Sequence, residues 1–406
     1  MSSQIGSRSL VFSEAPIIME SASVVGTREG EGPFGDKFDM IGADDKFGQD
    51  NWEQAESNLQ KDALQLALGK AGVKAGQLRY LFAGDLLGQN IASSFGLKDF
   101  QVPLFGLYGA CSTCGEALSL AAMTVAAGYA DYAAAVTSSH FASAEKQFRF
   151  PLEYANQRPM SATWTVTGSG AFILTGMKNN MTGNQSNALM SQKSETDNGN
   201  AAGNSSAAGS GDATDNGKAI NGKTIDNGSA TDSRSVSGKD KLSAYRPMPL
   251  AKITGITTGK IVDFGIKDSM NMGAAMAPAA CDLIASHFID FARKPEDYDL
   301  IVTGDLGTIG QEILFDLLGD KGYDIRDIHE DCGIRIFDNP AQGTGAGGSG
   351  CGCSAVMLSA HYLRELQSGN LKRILFVPTG ALLSPVSFNE GQTVPGIAHG
   401  VVLEAI

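Results

Sequence analysis

The sequence predicts an α/β fold made of two similar halves, and three observations carry that prediction. Strand-like apolar runs alternate with Ala/Leu-rich or amphipathic helical stretches, the pattern of sheets covered by helices on both faces. A small-residue turn bearing cysteine occurs twice, as Gly109-Ala110-Cys111-Ser112-Thr113-Cys114-Gly115 and as Gly350-Cys351-Gly352-Cys353-Ser354. Three other segments recur in the same order along the chain. Phe82-Ala83-Gly84-Asp85-Leu86 returns as Val302-Thr303-Gly304-Asp305-Leu306, Val136-Thr137-Ser138-Ser139 as Val377-Pro378-Thr379-Gly380, and Gly168-Ser169-Gly170-Ala171 as Ala398-His399-Gly400-Val401. Two such halves about a pseudo-twofold stack into a five-layer αβαβα arrangement, with the two Cys-turn helices near the centre.

Taken in order, residues 10–19 read as a strand, followed by a Gly-rich loop. Asp50 is placed to cap a helix over 51–70, which carries Trp52, Ala55, Leu59, Ala63, Leu66 and Ala67 on one face. Gly72 ends that helix. Strands follow at 79–83 and 104–108, then the Cys111 turn and a helix over 116–127. A strand at 132–136 leads to Ser138, Ser139 and His140. The next loop carries the cations Lys146, Arg149 and Arg158, and a strand over 164–175 closes the first half. The second half reads as one or two strands within 253–264 and a helix over 275–292 with Pro278 in its first turn, where proline is tolerated. A strand at 300–303 and a helix at 309–318 come next. After the Gly-rich loop 342–350 come a helix over 355–367, a strand at 373–377 and a last strand at Val401.

Between the halves, residues 178–243 consist almost wholly of Asn, Gly, Ser, Asp, Thr and Ala, and Asp-Asn-Gly recurs at 197, 215 and 226. Such a composition cannot bury enough surface to offset the entropy of ordering it, so this segment reads as a disordered insertion. The domain plan is therefore 1–177, 178–243 and 244–406.

A net charge of −13 without a basic stripe argues against nucleic acid. No cationic start followed by a long apolar run marks a signal peptide. The apolar stretch 117–136 is interrupted by Gly128 and Asp131 and reads as a buried helix plus strand rather than a membrane span. The expectation is a protein that is soluble or peripheral on a membrane. The six cysteines do not form a secreted disulfide framework, and those in the two turns sit at helix starts rather than on zinc knuckles. No metal and no cofactor is expected.

Several motifs together resemble the stage V sporulation protein AD family, within the thiolase and ketoacyl-synthase superfamily. They are Ala83-Gly84-Asp85-Leu86-Leu87, Gly109-Ala110-Cys111-Ser112-Thr113, Thr137-Ser138-Ser139-His140, Gln147-Phe148-Arg149, Met276-Ala277-Pro278-Ala279-Ala280, Asp331-Cys332-Gly333, Gly347-Gly348-Ser349-Gly350-Cys351, Thr379-Gly380-Ala381-Leu382-Leu383-Ser384-Pro385 and Ile397-Ala398-His399-Gly400. The resemblance covers nearly the whole chain apart from 178–243. It implies a thiolase-like fold that binds dipicolinic acid (pyridine-2,6-dicarboxylate), alone or as its calcium chelate. It also implies work beside other stage V sporulation A proteins at the spore inner membrane, in dipicolinate uptake during sporulation and release during germination.

Two chemistries compete at Cys111. At a helix start, free N–H groups and the helix dipole lower a thiol pKa, which suits a nucleophile. An acyltransferase of the thiolase or ketoacyl-synthase type also needs a base and an oxyanion hole. Thiolases carry a Gly-His-Pro motif in the loop before the second-half helix, whereas Gly347-Gly348-Ser349-Gly350-Cys351 has no histidine. Only His399 and His140 are left as bases, so the constellation is incomplete. A flat dianion asks for less: N–H donors, hydroxyls, a cation and an apolar slot. The residues expected to supply these are Cys111, Ser112, Ser138, Ser139, His140, Arg149, Ser349 and His399. If the protein is an enzyme, Cys111 and His399 carry the catalysis.

Overall fold

The computed structural model describes residues 3–148, 158–177 and 248–406. The expected insertion at 178–243 and Arg149 lie outside the described residues. Ten strands form one continuous path. In chain order they are β1 (Ile17–Val25), β2 (Tyr80–Gly84), β3 (Leu104–Gly106), β4 (Tyr132–Ser139), β5 (Gly168–Thr175), β6 (Ala251–Thr257), β7 (Leu300–Thr303), β8 (His329–Asp331), β9 (Arg373–Val377) and β10 (Gly400–Glu404).

The spatial order is β8-β7-β9-β10-β6-β1-β5-β4-β2-β3. Read outward from the centre, the first half runs β1-β5-β4-β2-β3 and the second β6-β10-β9-β7-β8. The halves therefore share one strand order. Their senses match as well. In each half the first two pairings from the centre are antiparallel and the outer two parallel. The halves join where β1 and β6 pair antiparallel, Ala251 opposite Ile18.

Strand alternation sorts side chains into layers, because successive residues point to opposite faces. On β4, Ala133 and Ala135 face the central helices, while Ala134 and Val136 face α1 (Trp52–Ala71). On β9, Ile374 and Phe376 face inward, while Leu375 and Val377 face α4 (Met272–Phe291) and α5 (Gly307–Gly319). The central layer holds α2 (Thr113–Ala126) and α6 (Cys351–Met357), which follow the two cysteine turns. A further helix, α3 (Phe141–Phe148), follows β4. The layers are αβαβα, as in thiolase-like folds.

Several elements differ from expectation for local reasons. The strand expected over 10–19 splits into Ser9–Val11 and β1, because Pro16 lacks an N–H for the ladder. The cap of α1 is Asn51, not Asp50, its side chain accepting from Gln54 N. Gly72 ends the helix in the left-handed conformation as expected, with φ 64°. The strand over 164–175 breaks after Thr165, since Trp164–Thr165 leaves the sheet to pair with Gly348–Ser349 of the other half. Helix α4 begins earlier than expected, which places Pro278 in its second turn rather than its first. Helix α6 begins at Cys351 itself, not at 355, and runs on through a π-helical turn at Leu358–Tyr362.

The pairing of Gly170 with Gly400 is off by one residue. Gly170 faces the central layer, where a Cβ would meet Ala355, while Gly400 faces Leu283 in the outer layer. A one-residue slip turns a strand residue to the opposite face, so these two glycines are not equivalents.

Phe172, 1% exposed and inside the central layer, tests this packing. Phe172→Ala is expected to cost about 3–5 kcal/mol in chemical denaturation. Phe95→Ala, at a residue 56% exposed, is expected to stay within about 0.5 kcal/mol. Equal losses at both sites contradict the layer assignment.

Candidate functional site

The turn before α2 holds Ala110 at φ 49°, a left-handed conformation that L residues other than glycine seldom adopt. It delivers Cys111 to the wall of a narrow, partly open slot. Leu86, Ala144, Phe148, Met272 and Leu383 form apolar walls, while Tyr108, Thr165, Ser349 and Glu145 bring polar groups. Both halves contribute. Thr165 and Ser349 arrive side by side because their short strands pair directly.

Beneath the slot, Ser349 Oγ lies 3.9 Å from Cys111 Sγ and donates to Asp305 Oδ2 at 3.0 Å. Asp305 also accepts from Gly350 N at 2.9 Å and from Thr379 Oγ1 at 2.8 Å. It is fully buried, and burial raises its carboxyl above the usual range despite these donors. Burial, and then the negative charge of Asp305, push the Cys111 thiol well above its ordinary value. The helix-start argument for a lowered thiol pKa is thereby overturned. Desolvation and a buried carboxylate outweigh the dipole of α2. At 3.9 Å the Cys111 Sγ–Ser349 Oγ contact is a weak one in which either atom can be the donor.

Of the other expected site residues that are described, only Ser349 joins Cys111 in the slot. Ser112 Oγ donates to Gly109 O at 2.6 Å and shapes the turn. Ser138 donates to Glu56 and accepts from Gln60, both at 2.9 Å, on the side of α1. Ser139 donates to Val166 O and accepts from Gly352 N, tying the halves together. His140 Nδ1 accepts from Ala142 N, so its Nε2 donates to Asp45 O at 2.6 Å, and burial lowers its pKa. His399 accepts from Gly259 N at 3.4 Å and packs over Gly115, and burial pushes its pKa down to about 4. Arg149 lies outside the described residues.

Sequence reasoning passed over Asp305, Tyr108, Thr165 and Glu145. For Asp305 a signal existed, since Gly304-Asp305-Leu306 repeats Gly84-Asp85-Leu86, and Asp85 likewise collects Leu87 N and Ser93 N. All six cysteines are unpaired and buried. Among the described residues no three His, Cys, Asp or Glu side chains gather into a metal-binding group.

The family model described as stage V sporulation protein AD matches residues 6–226 and 229–404. The chain belongs to the stage V sporulation protein AD family. It is 38% identical over 400 residues to stage V sporulation protein AD of Bacillus subtilis (strain 168), spanning 98% of this chain and 97% of that protein. Among solved structures it is similar to cerulenin-bound OleA of Xanthomonas campestris, at TM-score 0.52 and 14% identity over 97% of each chain. It is also similar to human mitochondrial 3-ketoacyl-CoA thiolase in complex with CoA, at TM-score 0.51 and 11% identity over 98% and 99% of the two chains. These two likenesses establish the thiolase-like fold.

In this member of the family, one helix among the described residues, Met272–Phe291, is long and apolar enough to cross a membrane, yet most of it is buried inside the fold as α4. Glu29 supports the slot from behind. It accepts from Thr167 N at 2.9 Å, and Thr167 Oγ1 accepts from Phe141 N at the start of α3, the helix that carries Glu145.

Two measurements follow from these environments. Mass-resolved alkylation at pH 8 is expected to label Cys111 in the folded protein at least ~10-fold more slowly than after unfolding. Equal labelling rates contradict the shielded, protonated thiol. Burial raises Glu29 to about 8 from an ordinary 4.5. Its contribution to stability is therefore fully present below about pH 4.5 and lost as pH rises through about 8. The melting temperature is expected to fall between pH 6.5 and 8.5, and Glu29→Gln to flatten that fall. A slope unchanged in the variant contradicts the assignment.

Proposed function

We propose that this protein binds dipicolinate in the slot beside Cys111 without catalysing acyl transfer. The carrying observation is the Cys111–Ser349–Asp305 arrangement, which holds a protonated thiol over a buried carboxylate. A condensing enzyme needs the opposite, a thiolate beside a base. Neither His140 nor His399 lines the slot, and the family resemblance set out above supplies the ligand. The apolar walls suit a flat ring, while Thr165, Ser349 and Tyr108 supply hydroxyls. In this reading the protein works peripherally at the spore inner membrane with other stage V sporulation A proteins. There it handles dipicolinate, alone or as its calcium chelate, as spores form and germinate. The acyltransferase alternative, with Cys111 as nucleophile, draws on the fold and on the helix-start position of that cysteine, and a fold hosts many chemistries.

Titration with dipicolinate and with an acyl-CoA separates the two. Heat and ring absorbance changes are expected with dipicolinate, and no consumption of the thioester. Cys111→Ser is expected to keep dipicolinate affinity within ~10-fold, and Cys111→Trp, which fills the slot, to lower it at least ~100-fold. Thioester cleavage or condensation that disappears in Cys111→Ser overturns the proposal.

A further inference from the structure

Among the described residues that line the slot, Glu145 is the one that carries a charge, and it is almost fully buried. A dianion entering there meets a carboxylate first. Arg158 contributes to offsetting that charge, its Nη2 lying 2.8 Å from Glu145 Oε2. The guanidinium is held in place from three sides. Its Nη1 donates to Thr163 O at 2.9 Å, and its Cζ lies 5.3 Å from the ring centre of Phe141 and 5.1 Å from that of Trp164. Those two rings are themselves stacked at 3.9 Å. Arg158 also lines a separate, wider cavity on its other side, with Trp164 and Met160. It thus lies behind Glu145, one side chain away from the slot.

We infer that Arg158 is the specificity-determining residue of the slot, its guanidinium turning from Glu145 to one carboxylate of the bound ligand. This inference rests on the dipicolinate reading above and extends it. A planar, pre-set guanidinium pairs with a carboxylate through two parallel N–H···O bonds, which a neutral substituent cannot match. The slot therefore selects pyridines with two carboxylates over those with one. Arg158 is the group that makes the distinction, and Glu145 competes with the ligand for it.

The test compares dipicolinate with pyridine-2-carboxylate on the full chain by titration, with thermal melts to confirm folding. The parent is expected to prefer the dicarboxylate by at least ~10-fold, Arg158→Gln to remove most of that preference, and Arg158→Lys to restore part of it. Glu145→Gln, which releases the guanidinium, is expected to raise dipicolinate affinity. A parent that binds both pyridines equally overturns the inference while the dipicolinate reading stands. So does an Arg158→Gln variant that weakens both in the same proportion, or a Glu145→Gln variant that binds dipicolinate no better. A parent that binds neither overturns the dipicolinate reading and this inference together.

Discussion

Everything in this molecule depends on how closely the two halves approach at their shared central layer. Each half sends a cysteine-turn helix into that layer, and glycines let backbone meet backbone there. A Cβ on Gly352 would lie 2.3 Å from Gly168 O and 2.7 Å from Ser139 Oγ. A Cβ on Gly115 would lie 3.0 Å from His399 O, and one on Gly380 2.3 Å from Gly109 O. Such contacts leave no room for side chains, so the turns at Cys111 and Cys351 are clamped by the opposite half. The slot beside Cys111 is a consequence of that clamp. Thr165 and Ser349 reach it from different halves only because their strands pair across the seam.

The same seam decides the electrostatics. Asp305 comes from the end of β7, far from Cys111 in sequence, yet the approach of the halves places it one serine away from the sulfur. Burial first, and that carboxyl second, raise the Cys111 thiol pKa against the α2 dipole. The thiolase-like architecture is thus present with Cys111 buried and its thiol pKa raised.

Much of the fold was legible from residue pattern alone. Strands Leu300–Thr303 and Arg373–Val377 fall where the apolar runs put them, and the duplicated Gly-Asp-Leu and cysteine turns mark equivalent positions in two halves of identical strand order. Cys111 and Ser349 were both visible as parts of repeated small-residue motifs. What periodicity could not convey is direction at the sheet end. Ser138, Ser139 and His140 are consecutive. Alternation along β4 and the turn into α3 send them to Glu56, Val166 and Asp45 in three different directions.

The sequence by itself determined the α/β class, the duplication, the layer count and the family, because these rest on local propensity, apolar period and motif order. Tertiary structure alone decided which side chains face the slot and in what protonation state. Cys111 sits at a helix start in either description, and local rules make such a thiol acidic. Only the folded seam brings Asp305 and full burial to it. Because desolvation and a neighbouring charge depend on what lies within a few ångströms in space, no reading along the chain reaches them.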